Sequence, residues 1–103
     1  MLKTKKELTV EQRVISAFQD WAEERALDLD ITPDTDLVEK YNPDSLETVE
    51  MILYLEEEFD INIKDTDVSQ LFNIEKGEYQ ISEKSFSAPV KEIVKYITQR
   101  LEN

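Results

Sequence analysis

Three segments of this 103-residue chain place apolar side chains three and four positions apart, and this helical period constrains the fold more than any other feature. The segments cover about residues 10–26, 44–59 and 87–101. Thr9 and Gln12 are expected to form a capping box at the start of the first, and Leu101 lies on the apolar stripe of the last. Each is long enough to turn one apolar face toward the other two. Residues 65–72 offer one further, shorter helix. The sequence therefore predicts an all-α domain with three longer helices and one short helix.

Two long connections separate the predicted helices. Residues 27–43 include Pro33 and Pro43 and show no helical period, so we expect a long first loop, which in a compact domain is usually functional. Four apolar residues are expected to hold that loop on the core: Leu29, Ile31, Leu37 and Tyr41. Residues 73–87 contain the only glycine and are predicted to form an extended loop, after which Ser87 caps the last helix. We expect residues 1–103 to form one domain, with residues 1–8 frayed.

The charge balance narrows the kinds of partner. The chain has 24 acidic and 12 basic residues and a net charge of −12, which disfavours nucleic acids and anionic membranes and favours basic protein surfaces. It contains no Cys and no His, so it lacks thiolate ligands and the commonest general base. No segment approaches the ~20 apolar residues that span a membrane. We expect a monomeric, cytoplasmic protein.

The acidic first loop invites comparison with a calcium site. Six oxygen-bearing residues follow the ligand spacing of an EF-hand: Asp28, Asp30, Thr32, Asp34, Asp36 and Glu39. The position that needs glycine holds Pro33, whose ring fixes φ near −65°. We therefore predict no metal site.

The second predicted helix has two apolar faces. Its core face is formed by four large residues beside Thr48: Met51, Ile52, Leu55 and Phe59. On the opposite side, Leu46, Val49 and Leu53 form an i, i+3, i+7 stripe inside an acidic rim. Scattered exposed apolar residues are common on protein surfaces. Because these three share one stripe, we interpret them as a docking surface to which the acids steer a basic partner.

Ser45 lies at the start of this helix. Asp44 is the predicted N-cap and Glu47, three residues later, completes a capping box, so Ser45 takes the first helical position. That position suits a phosphate, because free backbone N–H groups and the positive end of the helix dipole meet there. Without a nearby base the hydroxyl is a poor nucleophile. Two readings stay open from spacing alone: Ser45 is modified by another enzyme, or it only helps to cap the helix.

The segment DSLETVEMILYLEEEFDINI, residues 44–63, resembles the prosthetic-group segment of acyl carrier proteins. The similarity extends upstream to DTDLVEKY and downstream to VKEIVKYI. The resemblance implies an acyl-carrier-like four-helix bundle. It also implies a non-catalytic role, in which a phosphopantetheinyl transferase uses coenzyme A to attach 4′-phosphopantetheine to Ser45. The thiol of that arm would carry acyl thioesters for fatty-acid, envelope-lipid or polyketide-type biosynthesis.

The resemblance also implies a docking surface for the transferase and for acyl-loading, elongating or acyltransferase enzymes with basic patches. Eight residues would form it: Asp44, Leu46, Glu47, Val49, Glu50, Leu53, Glu56 and Glu57. The chain departs from the family at Pro43, where many members have a nearby glycine, and in the insertion at residues 73–87. That insertion is interpreted either as a tolerated surface loop or as a segment that covers the acyl site or adds a partner contact.

Two other functions remain open. An aminoacyl or peptidyl carrier would use the same arm, although such proteins usually have a glycine-rich approach to the serine and a less acidic helix. An unmodified acidic adaptor that binds basic proteins would explain the charge but not the placement of Ser45.

Overall fold

The computed structural model describes residues 8–64, 66–68 and 88–102. Four α-helices lie in these ranges: α1 Val10–Glu24, α2 Leu37–Tyr41, α3 Ser45–Phe59 and α4 Val90–Glu102. Residues 66–68 add a single helical turn. Within the described ranges there is no β-strand, only one isolated bridge between Asp36 and Pro89. The predicted all-α class and helical bundle are confirmed.

The core lies where α1 packs against α3 and α4. The largest fully buried side chains come from all four helices: Trp21, Phe18, Leu37, Met51, Leu55, Ile93, Ile97, Val14 and Val90. The helical period predicted most of them, because a helix with one apolar face must cover that face. Leu101 differs from its predicted inward position, since its side chain is 42% exposed at the end of α4.

The first helix begins as its sequence predicts and ends earlier. Thr9 and Gln12 form a capping box, with Thr9 N donating to Gln12 Oε1 at 2.9 Å and Gln12 N donating to Thr9 Oγ1 at 3.1 Å. The predicted end near residue 26 is wrong by two residues. Ala26 takes the left-handed conformation with φ 55°, and Leu27 N bonds Ala22 O at 2.9 Å. This bonding closes the last turn and reverses the chain.

A short helix, α2, lies inside the connection that was predicted to be a loop. Its N-cap is Asp36, whose Oδ1 accepts from Val38 N at 3.0 Å and from Glu39 N at 3.2 Å. A five-residue helix is too short to give a periodic signal, so the sequence did not predict it. Leu37 and Ile31 are buried as expected, whereas Leu29 is 40% exposed and does not hold the loop on the core.

The start of α4 is bonded to the first connection. Ala88 N donates to Asp36 Oδ1 and Leu37 N donates to Ala88 O, both at 3.0 Å. Val90 N donates to Thr35 O at 2.9 Å. These bonds fix the first turn of α4 beside the N-terminus of α2.

Several predictions fall on residues outside the described ranges. They concern the fraying of residues 1–7, the Ser87 cap, the insertion at residues 73–87 and most of the short helix at residues 65–72. Of that helix, residues 66–68 are described and are helical. In the described helices, no stretch is long and apolar enough to cross a bilayer.

Candidate functional site

The N-terminus of α3 has the predicted capping box. Glu47 N donates to Asp44 Oδ1 at 2.8 Å, and Asp44 N donates to Glu47 Oε1 at 3.0 Å. Thr48, which is buried, adds a hydroxyl bond to Asp44 O at 2.9 Å. Because both carboxylates accept from backbone N–H groups of the helix, the first turn of α3 is well fixed before any partner binds.

Ser45 is the first residue of this turn and its side chain is exposed. Asn42, in the left-handed conformation with φ 46°, ends α2 and turns the chain toward Pro43 and α3. No described residue forms a hydrogen bond with the Ser45 hydroxyl. The free N–H groups of the first turn and the helix dipole give this end a partial positive charge. The position can therefore hold a phosphate ester in solvent without moving any protein group.

The two faces of α3 separate as the sequence predicts. Four of its apolar residues are buried on the core side: Met51, Ile52, Leu55 and Phe59. On the other side, Leu46 is 66% exposed, Val49 52% and Leu53 49%. We call these three residues the apolar ridge. It begins beside Ser45 and follows the axis of α3 for about two turns.

The acids around the ridge are not equivalent. Glu47 belongs to the capping box, Glu56 Oε2 accepts from Ile63 N at 2.6 Å, and Glu50 pairs with Arg25. Glu57 is exposed and has no partner in the described part of the chain. The docking role of all these acids stays a prediction, but only Glu57 can offer its whole carboxylate without breaking an existing contact.

Sequence reasoning missed the cation that holds Glu50. The Arg25 guanidinium stacks on the Trp21 ring at 4.7 Å and donates to Trp21 O at 3.1 Å, while it also bonds Glu50 across the α1–α3 contact. One signal could have found it. Arg25 follows Trp21 by four residues, so both lie on the same side of α1 and the guanidinium can reach the neighbouring helix.

Two further contacts join the same pair of helices. Arg13 Nε donates to Glu58 Oε2 at 3.0 Å, and Arg13 lies over the Phe59 ring at 4.4 Å. The Tyr54 hydroxyl donates to Glu24, and this hydrogen bond is the main reason that the pKa of Tyr54 is raised to about 12. These contacts fix α3 on α1 while leaving the apolar ridge exposed.

A cavity of about 280 Å³ lies between α3 and the chain that follows it. It is lined by seven described residues: Val49, Ile52, Leu53, Glu56, Asn62, Ile63 and Val68. Val49 and Leu53 follow Ser45 by one and two helical turns, so the cavity begins within about 12 Å of Ser45 along the helix axis. Its size is near the lower end of ligand pockets, which span about 300–1,000 Å³.

A second cavity, of about 320 Å³, lies beside α2, in the acidic segment whose spacing resembles an EF-hand loop. It is lined by Asp34, Thr35, Asp36, Glu39 and Lys40. Several of the loop acids bond elsewhere: Asp36 caps α2, and Asp28 lies 3.6 Å from Lys40 Nζ. Over residues 8–64, 66–68 and 88–102, no group of three or more acidic, His or Cys residues is arranged to hold a metal ion.

A family model described as "Phosphopantetheine attachment site" matches residues 12–76, which is more than half of the chain. The chain belongs to this family of carrier domains. The match covers most of α1 and all of α2 and α3, including Ser45 and the apolar ridge. The predicted membership is confirmed, and with it the cofactor, since the domain carries covalently attached 4′-phosphopantetheine. The exposed serine at the positive end of α3 fits that group. Carrier domains are modified by phosphopantetheinyl transferases and present their arm to other enzymes.

Proposed function

We propose that this carrier domain holds 4′-phosphopantetheine on Ser45 and transports acyl groups as thioesters on its terminal thiol. The observation that carries the proposal is the position of Ser45. It is exposed and begins α3, the apolar ridge starts at the next residue, and the 280 Å³ cavity starts one turn away. One short region thus offers an attachment atom, a surface for enzymes and a space for cargo.

Ser16, the other serine in the described part of the chain, is a poorer candidate. Ser16 lies in the middle of α1 and is partly covered, so its hydroxyl has no helix terminus beside it. At Ser45 the phosphodiester would be next to the free N–H groups of the first turn. The described part of the chain offers Ser45 no base, so the transferase must take the hydroxyl proton as the serine oxygen bonds to phosphorus and the pyrophosphate bond of coenzyme A breaks, which releases adenosine 3′,5′-bisphosphate.

The cavity supports an acyl cargo over an aminoacyl one. Five of its seven lining residues are aliphatic: Val49, Ile52, Leu53, Ile63 and Val68. An alkyl chain entering from the arm would lose contact with water along these side chains, which is favourable by about 25 cal/mol per Å² of apolar surface. A charged α-amino group would lose its hydration there and gain only Glu56 as a counterion.

The enzymes that load and use the arm would dock on the apolar ridge. We infer that a basic patch on the partner is steered by the net charge of −12 and meets the exposed Glu57 beside Leu53. Leu46, beside Ser45, would set the register of the partner relative to the hydroxyl. Asp44, Glu47, Glu50 and Glu56 would contribute charge while keeping their internal bonds.

We also expect the carrier to work in the cytoplasm. Small secreted domains are usually rich in disulfides, and this chain has no Cys. Fractionation of cells that express the tagged chain would test the location.

Intact mass spectrometry tests the attachment. The purified chain is incubated with coenzyme A, magnesium and a broad-specificity phosphopantetheinyl transferase, beside Ser45→Ala and, as a matched control, Ser16→Ala. We expect one phosphopantetheine on the parent and on Ser16→Ala, and none on Ser45→Ala. Modification of Ser45→Ala would refute the assignment. A folded parent that stays unmodified while a standard carrier is modified would favour a dedicated transferase or an unmodified adaptor.

The cargo is tested on the modified protein. Acyl and aminoacyl pantetheine arms are transferred separately from the corresponding coenzyme A thioesters, and the rate at which hydroxylamine cleaves each thioester is measured. An acyl carrier should protect a medium-length alkyl thioester better than an aminoacyl one. Equal rates would favour the aminoacyl or peptidyl alternative.

A further inference from the structure

The outer wall of the 280 Å³ cavity is made by residues that follow α3. Asn62, Ile63 and Val68 line the cavity from this side, and Ile63 is buried, with 5% of its surface exposed. From the α3 side, the wall is held by Glu56 Oε2, which accepts from Ile63 N at 2.6 Å. Val68 N bonds Lys64 O at 3.0 Å and keeps the two described parts of the wall together.

The last helix holds the same wall from its other side. The Tyr96 hydroxyl donates to Asp67 Oδ2 at 2.7 Å and accepts from Arg100 Nη1 at 2.8 Å. Arg100 Nη2 donates to Asn62 O at 2.9 Å. One guanidinium therefore reaches Asn62 directly and Asp67 through Tyr96, so it touches both described parts of the wall.

Partial burial and charge strengthen the hydrogen bonds between the last helix and the wall. Tyr96, Asp67 and Arg100 are all partly buried, which makes their hydrogen bonds stronger than bonds in open solvent. The positive Arg100 and the negative Asp67 stand on either side of the neutral phenol, so each bond has a charged member. Ile63 is the only wall residue among those described that is buried, so polar bonds carry much of the attachment.

We propose that Tyr96, Arg100 and Asp67 form a clamp that holds the cavity wall against α3 and thereby limits which acyl groups the cavity admits. The acyl occupant rests on the proposed function, whereas the clamp rests on the contacts alone. These three residues are positioning residues, since none of them lines the cavity. Loosening the clamp should expose Ile63 before it exposes the core of the bundle.

The cysteine-free sequence allows a direct test. Ile63→Cys places a single thiol in the wall, and Val14→Cys places one in the core of α1, where Val14 is 0% exposed. Reaction with a thiol reagent is then timed in the parent, Tyr96→Phe and Arg100→Gln backgrounds. Arg13→Gln is the matched control, because Arg13 also donates to a carboxylate and, at 2.7 Å, to the carbonyl of Glu58, away from the wall.

We expect Tyr96→Phe and Arg100→Gln to speed labelling of the wall thiol by about tenfold, the factor that one charged hydrogen bond corresponds to. Labelling at Val14→Cys should speed up by no more than that factor in these variants, because a lost native contact also favours global unfolding, whereas Arg13→Gln should speed Val14→Cys and leave labelling of the wall thiol slow. An unchanged labelling rate of the wall thiol in the clamp variants would refute the clamp. Equal acceleration of the wall thiol by Arg13→Gln would also refute it, since it would mean that the wall opens only when the whole bundle unfolds.

A second measurement tests what the clamp admits. Modified parent, Tyr96→Phe and Arg13→Gln proteins are loaded with alkyl thioesters of increasing length, and cleavage by hydroxylamine is timed. The clamp variant should move the best-protected length upward, whereas Arg13→Gln should not. If the best-protected alkyl length stays the same although the wall thiol is labelled faster, the clamp has no role in selecting acyl groups. If Ser45 is not modified, the proposed function fails, but thiol labelling still decides the clamp.

Discussion

Replacing Asp36 by alanine should destabilise the bundle more than the loss of an ordinary helix cap. One oxygen of its carboxylate accepts from three backbone groups: Val38 N at 3.0 Å, Glu39 N at 3.2 Å and Ala88 N at 3.0 Å. The first two bonds cap α2, and the third fixes the start of α4. The substitution therefore acts at two junctions of the fold.

The magnitude follows from these two roles. Loss of an N-cap side chain costs about 0.5–2 kcal/mol. The Ala88 amide is fully buried, and a buried N–H that loses its acceptor costs about 1–3 kcal/mol. Together we expect the free energy of unfolding to fall by about 2–4 kcal/mol, against about 5–15 kcal/mol for a whole domain.

Urea unfolding followed by Trp21 fluorescence measures this effect, because the chain has one tryptophan and it is fully buried. Asp36→Asn is the matched control, since asparagine caps helices about as well as aspartate and keeps an oxygen that can accept. It should lose less than half as much stability. A change within about 0.5 kcal/mol for Asp36→Ala would refute the reasoning, as would an equal loss in both variants.

Three further predictions concern the surface and the solvent. Leu46→Ser should change the free energy of unfolding by less than about 0.5 kcal/mol yet lower the kcat/KM of the transferase, because Leu46 is 66% exposed; an unchanged kcat/KM would argue against docking on the ridge. Added salt or millimolar magnesium should raise the melting temperature by screening the net charge of −12, and a falling midpoint would contradict this. Burial raises the pKa of Tyr41 and of Tyr96, and the Glu24 hydrogen bond raises that of Tyr54 to about 12. When the pKa of a phenol is higher in the folded state than in the unfolded state, its contribution to the free energy of unfolding is complete below pH ~10. That contribution is lost as the pH rises through the folded-state pKa, so we expect the free energy of unfolding to decline between pH ~10 and ~12. Absorbance titration of Tyr54→Phe should lose a phenol whose pKa is about 12, and an unchanged titration would contradict the assignment.

The features that the sequence predicted depend on short-range spacing. The capping boxes at Thr9–Gln12 and Asp44–Glu47 involve residues three apart, and the two faces of α3 follow from the helical period alone. The serine and its neighbours are read from one uninterrupted segment. For that reason the attachment candidate and the apolar ridge could be named before the fold was known.

The features that the sequence did not predict depend on contacts between distant residues. The bond that ties Asp36 to Ala88 spans 52 positions, and α2 itself is too short to show a period. Arg25 and Glu50 meet only when α1 packs on α3; the spacing of Trp21 and Arg25 indicates the side of α1 on which the guanidinium lies, but not that Glu50 is its partner. The clamp likewise depends on how α4 is placed. The apolar stripe predicts that α4 packs on the core, but it does not predict which polar side chains of α4 reach the cavity wall.

The pairing of acids changes how the charge of α3 is understood. Glu47 and Glu50, three residues apart, would repel each other on an isolated helix. In the bundle, Glu47 accepts from Asp44 N and Glu50 pairs with Arg25, so each carboxylate has a donor of its own. Since Glu50→Gln would remove both an inter-helix contact and a docking charge, a weaker partner interaction in that variant would have two causes. Glu57, exposed and unpaired in the described part of the chain, separates them: its neutralisation should weaken docking and leave the helix contacts unchanged.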